Sequence, residues 1–176
     1  MKVHSDIDTL SFDAMKALMR LRADQYDLTV VEDGPETLMV ETDLGQFGVV
    51  DRTPSGLRLV IAALKPDNVH VIRDALVGQI SEAVPEIANT ITWSDMSERD
   101  QYPPNLQFAD VVDTRPLCTE FHRVRLRLER PEAFAAKDAI HFRILLPEPD
   151  NKDPDYPTLA PNGSTNWPKG AKALHR

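Results

Sequence analysis

The stretch DLTVVEDGPETLMVETDLGQFGVVDR, residues 27–52, decides the fold. It holds three short β-branched runs, DLTVVE (27–32), TLMVET (37–42) and FGVVDR (47–52), separated by Gly, Pro and Asp. Such runs between turn-forming residues read as successive strands of an antiparallel sheet. A further run, LRLVIAAL (57–64), follows Pro54-Ser55-Gly56 and reads as the longest strand of the set.

On either side the hydrophobic period lengthens to that of a helix. In SFDAMKALMRLRADQY (11–26), Phe12, Met15, Leu18, Met19 and Tyr26 share one side. Ser11 is placed to cap that helix, and Asp13 suits the positive end of its dipole. In DNVHVIRDALVGQISEAV (67–84), Val69, Ile72, Leu76, Ile80 and Val84 line one face, and Pro85 disfavours continuation. The expected order is helix, three or four antiparallel strands, helix. That is a small two-layer α+β domain over residues 1–94, with both helices on one face of the sheet.

Charge and proline content divide the chain. The net charge is −8. Residues 1–95 carry 8 Lys and Arg against 16 Asp and Glu, whereas residues 96–176 carry 12 of each. Proline runs the other way, 4 before residue 96 and 10 after it. The polar stretch SDMSERDQYPPN (94–105) has linker composition, so the boundary is placed at 95–105 and the second region at 106–176. An acidic first domain argues against a nucleic-acid partner. No apolar run is long enough for a transmembrane helix, and MKVHSDIDTL has no signal-peptide core, so no membrane association is expected. One cysteine, Cys118, excludes an internal disulfide and fits a reducing cytoplasm.

Isolated polar residues of the first region read as ordinary surface. His70 is expected to be a surface histidine, and Asp6, Asp8 and Asp13 a solvated acidic face, because they lack the spacing of a calcium loop. Met15, Met19 and Met39 read as core filler.

The second region opens with an expected strand at 107–113. A second, at 119–129, alternates Val124, Leu126 and Leu128 with Arg123, Arg125, Arg127 and Glu129. A third, IHFRILLP (140–147), puts Ile140, Phe142, Ile144 and Leu146 on one face, and a long proline-rich loop follows. The arginines form a positive column that faces either an anionic ligand or solvent. A metal site from Cys118, His122 and His141 has no support from strand geometry, and Cys118 reads as an inert small residue.

The segments VVDTRPLCTEFHRVRLRLERPEAF and IHFRILLPEPD resemble the start of the flavin-binding lobe of siderophore-interacting proteins, the ferric-siderophore reductases. Residues 11–94 resemble a small α+β domain sometimes fused in front of these enzymes. The resemblance implies a flavoprotein with an antiparallel β-barrel of the flavin-reductase type for FAD and an α/β lobe for NAD(P)H. A ferric siderophore would be its substrate and ferrous iron its product. It implies FAD-phosphate contacts from His141, Arg143 and Arg176 and assigns no catalytic residue. The family's Arg-x-Tyr-Ser/Thr flavin strand and a Gly-rich nicotinamide-binding unit do not occur in the 176 residues. The expectation is therefore an inactive, C-terminally truncated barrel whose open sheet edge invites a homodimer. The alternative is a non-enzymatic binding or dimerisation module.

Overall fold

The computed structural model describes residues 1–96, 101–134, 142–147, 150–151, 153–170 and 174–175. The chain divides into two compact units. One contains Met1–Pro103 and Pro157–Trp167, the other Pro104–Tyr156 and Pro168–Arg176.

The first unit is a five-stranded antiparallel sheet with two helices on one face. Its elements are β1 (Lys2–Ile7), α1 (Phe12–Gln25), β2 (Thr29–Gly34), β3 (Thr37–Thr42), β4 (Gly45–Asp51), β5 (Leu57–Ala62), α2 (Pro66–Ala83) and a one-turn helix α3 (Pro85–Ala88). The strand order is β1-β5-β4-β3-β2. The α+β class and the expected helices and strands are present. Strand β1 is an addition, because KVHSDI carries four polar residues in six. Pairing with β5 at the sheet edge makes it a strand: Val3, Ser5 and Ile7 turn inward while Lys2, His4 and Asp6 turn outward. LRLVIAAL pairs for only six residues, so β5 is not the longest strand.

Alternation along each strand builds the core. Leu38 and Val40 of β3, Val49 of β4, and Leu57, Leu59 and Ile61 of β5 are buried, as are Phe12, Met15 and Met19 of α1. Helix α2 contributes Val69, Ile72, Leu76, Val77 and Ile80, and Ile87, Ile91 and Trp93 close the end. Ser11 caps α1, its hydroxyl accepting the Ala14 N–H at 3.2 Å. Helix α2 stops at Ala83, just before Pro85, which opens α3. Beyond β1, Ser94 exchanges hydrogen bonds with the His4 backbone at 2.9 and 3.1 Å, which covers part of that edge. At the opposite edge a bulge between Val30 and Glu32 interrupts β2 beside Glu32 and Asp33, two features that discourage edge-to-edge pairing.

Residues 157–167 complete this unit. The sequence reading leaves them in a long loop of the second region. In the structure β9 (Thr158–Leu159) and β10 (Thr165–Asn166) form a small hairpin in the first unit, and the Leu159 N–H donates to the Gln101 carbonyl at 3.0 Å.

The second unit is dominated by one hairpin, β6 (Ala109–Pro116) with β7 (His122–Leu128). A 3-10 turn spans Pro131–Phe134. Gln107 ties the open end by two hydrogen bonds with the Arg130 backbone, at 3.1 and 3.2 Å. The expected third strand at 140–147 is corrected here. Residues 140–141 lie outside the described residues, 142–145 have no regular structure, and only β8 (Leu146–Pro147) is a strand, paired with β11 (Leu174–His175). Alternation alone does not make a strand; a strand also needs a ladder that takes its backbone groups, and residues 142–145 are not assigned to one.

Candidate functional site

Two polar constellations stand out, one in each unit. In the first unit, α2 aims its core face at the sheet and presents a flanking stripe, His70, Arg73 and Asp74, to the 157–167 hairpin. Asp74 Oδ1 accepts the Thr165 N–H at 2.5 Å, and His70 Nε2 lies 3.3 Å from Thr165 Oγ1. Asn162 is the organising residue of the hairpin. Its carbonyl accepts the Trp93 indole N–H at 3.0 Å, its amide donates to the Ala88 carbonyl at 3.0 Å, and its Oδ1 accepts from the Ser164 amide and hydroxyl. Arg73 is held over the Trp93 ring, 5.2 Å from its centroid, and donates to both Asp95 oxygens at 2.5 and 2.7 Å.

His70 is thus not a surface residue; only 3% of it is exposed. The sequence places it beside the apolar stripe of α2, and the hairpin about ninety residues further on buries it. Burial pushes its pKa below the ordinary value, with Arg73 acting in the same direction and Asp74 and Asp67 opposing. Nor are the acids of the first region all free. Asp6 accepts from Arg58 at 2.7 and 3.0 Å and pairs with Arg52 at 2.6 Å, and these contacts, the Arg58 hydrogen bond first, hold its carboxyl below its usual range. Met15 and Met19 lie in the core, while Met39 lies on the face of the sheet opposite the helices, in the row His4–Val60–Gly48–Met39.

In the second unit the β6–β7 register sorts side chains by chemistry. Arg123 lies opposite Arg115, Arg125 opposite Asp113 and Arg127 opposite Asp110. Directly opposed residues share a face, so one face carries four guanidinium groups and two carboxylates. The other carries Val111 opposite Leu126, Thr114 opposite Val124, and His122 opposite Pro116. A bulge between Val111 and Asp113 keeps this sorting in phase. The sequence shows the column at 123, 125 and 127, but Arg115 joins it only through the register. Its signal in sequence was the alternation in VVDTRP, which does not say which face it meets.

The structure describes only some of the other sequence-derived candidates. Arg143 is exposed in a segment without regular structure. His141 and Arg176 lie outside the described residues. Cys118 is free and exposed in the β6–β7 turn. Among the described residues no group of three or more His, Cys, Asp or Glu side chains could hold a metal ion, and no helix is long and apolar enough to cross a membrane. No family model, curated protein or solved structure matches the chain.

Proposed function

We propose that this chain serves in a siderophore-interacting flavoprotein of the cytoplasm, an FAD- and NAD(P)H-dependent ferric-siderophore reductase. In this reading the β6–β7 hairpin belongs to a flavin-reductase barrel and its basic face meets an anionic group. The observation that carries the reading is Arg115 facing Arg123. Like charges directly opposed across a strand pair are unfavourable, and an anion between them reverses the sign. Guanidinium groups bind phosphate and carboxylate oxygens through paired N–H donors, so the donor set fits a flavin pyrophosphate or the acidic groups of a siderophore. A bound flavin would supply hydride acceptance from NAD(P)H and single-electron donation to ferric iron. The share of Arg115, Arg123, Arg125 and Arg127 is to hold the anionic portion in place.

Titration of FAD against the chain, followed by flavin fluorescence, tests this. At low salt Arg115→Gln/Arg123→Gln should weaken binding by about tenfold, with a shallower salt dependence than wild type. An intact fold that binds no FAD, or variants that bind it as wild type does, would sink the reading. In a chelating-dye assay for ferrous iron with NADPH and a ferric siderophore, these 176 residues should give no turnover above that of free FAD, because they hold no Gly-rich nicotinamide-binding unit.

A non-enzymatic reading has one observation in its favour. Val111 and Val124, on the opposite face of the hairpin, are 63% and 51% exposed. An uncovered apolar face on a two-stranded hairpin suits pairing with a second copy of the chain. Sedimentation of wild type and Val124→Asp separates the two, since loss of a dimer with unchanged FAD binding supports pairing alone.

A further inference from the structure

We propose that the 157–167 hairpin is an acid-released clasp on the first unit, with His70 as its latch. The inference uses residues of the first unit only and does not depend on the flavin reading.

The hairpin sequence PTLAPNGSTNW contains no ionisable side chain. Any response of its docking to pH must come from the groups it covers. Those on α2 are Asp67, His70, Arg73 and Asp74, and Asp95 is linked to them through Arg73. Carboxylate and guanidinium side chains as a class ordinarily titrate well outside the mildly acidic range. That leaves His70 as the group that changes charge in the mildly acidic range.

His70 is placed so that the change matters. It is almost wholly buried, with Nε2 against Thr165 of the clasp, and Nδ1 is buried with no hydrogen-bond partner among the described residues. A neutral imidazole tolerates this, because one nitrogen can be left as a bare acceptor. An imidazolium must donate from both nitrogens, and here one N–H would point into a site with no acceptor, beside the cationic Arg73. Lifting the hairpin gives both nitrogens water. The linkage sign follows. The docked state holds His70 below its ordinary value of 6.5, so docking is at full strength above that value and weakens as the pH falls through the lowered one.

Release has a structural consequence. The chain leaves the first unit at Pro103 and returns at Pro157, and Gln101 and Leu159 are hydrogen-bonded. With the clasp released, Trp93, Arg73 and the Ala88 carbonyl lose the cover of Asn162 and Gly163. Acidification therefore uncovers a Trp–Arg surface.

Hydrogen exchange on the full chain tests the clasp, with rates corrected for intrinsic exchange and referred to the β3–β5 amides. Between about pH 7.5 and about pH 5.5, protection at the amides of Leu159, Gly163 and Thr165 should fall roughly threefold or more relative to the sheet. In His70→Gln, which keeps a polar group near Thr165 but does not titrate, the ratio should stay flat. An unchanged wild-type ratio, or an equal fall in His70→Gln, overturns the proposal. Should His70→Gln not fold, the wild-type imidazole is followed by NMR. Titration below the ordinary histidine value, in step with the loss of protection, supports the latch, and titration at or above that value overturns it.

Discussion

The first unit turns its large side chains inward, whereas the second wears them outside. Leu38, Leu57, Leu59 and Ile61 of the sheet are fully buried beneath two helices, while Val111, Leu117, Phe121 and Val124 of the β6–β7 hairpin are more than half exposed. Both regions are antiparallel strands with period-two alternation, so local pattern does not separate them. The number of neighbours does. Five strands and two helices enclose an apolar layer, and a two-stranded hairpin has nothing of its own to place over either face. What a strand pattern means for stability therefore depends on whether a second layer is available.

The largest test of that contrast is a pair of truncations. Leu59→Ala removes a fully buried side chain from the centre of the first unit and should cost about 2–5 kcal/mol in urea unfolding. Val124→Ala in the hairpin should change stability by less than about 0.5 kcal/mol. Equal effects would mean that the hairpin is covered in solution, as the pairing reading requires.

Two glycines with left-handed backbone sharpen the comparison. Gly163 has φ +75°, and an added Cβ would lie 2.4 Å from Arg73 Cδ and 2.9 Å from Met96 Sδ. Arg73 is pinned between Trp93 and Asp95 and cannot swing aside cheaply. Gly170 has φ +69° with nothing within 4 Å of such a Cβ. Gly170→Ala should cost about 1–2 kcal/mol from backbone strain alone. Gly163→Ala should add a further 1–3 kcal/mol or so of crowding and accelerate exchange at Leu159 and Thr165. Similar thermal shifts for the two would deny the close packing of the clasp.

Smaller effects follow at the helix cap and at surface charges. Ser11→Ala leaves the Ala14 N–H without its acceptor and should destabilise the first unit by about 1 kcal/mol, read from the urea midpoint. Asp6 has its pKa lowered by Arg58, so its contribution is present above the ordinary carboxylate range and is lost as the pH falls through it. Asp6→Asn should cost under about 1 kcal/mol near neutrality, because the pair is partly exposed, and should flatten the acid limb of the stability curve. The smallest change is expected in the hairpin itself. Arg123→Glu replaces a like-charged pair with an opposite one and should stabilise it by a few tenths of a kcal/mol. The same substitution should abolish the basic face's preference for FAD at low salt.

Several features were legible from residues 11–85 alone: both helices, the cap at Ser11, the stop at Pro85 and strands β2 to β5. Each is set by neighbours a few positions away, through hydrophobic period, turn residues or a capping hydroxyl. Strand β1 was not legible, because four of the six residues of KVHSDI are polar and it becomes a strand only by pairing with residues fifty to sixty positions later. The third strand expected at 140–147 failed for the converse reason. Its alternation was real, but residues 142–145 take no regular structure and only Leu146 and Pro147 form a strand. The arginine column was visible at 123, 125 and 127, whereas Arg115 joined it only through the β6–β7 register.

The amino-acid sequence by itself determined the α+β character of the first unit and the spacing of the basic strand. Both follow from a repeat of two or 3.6 residues acting on adjacent positions. Only the tertiary structure decided that His70 is buried, that Arg73 is held between Trp93 and Asp95, and that PTLAPNGSTNW belongs to the first unit. Those outcomes depend on contacts such as His70 with Thr165 and Trp93 with Asn162, between residues roughly seventy to ninety-five positions apart. No local period encodes such pairs. They form when closing a long chain segment is outweighed by the hydrogen bonds and apolar area that closure brings together.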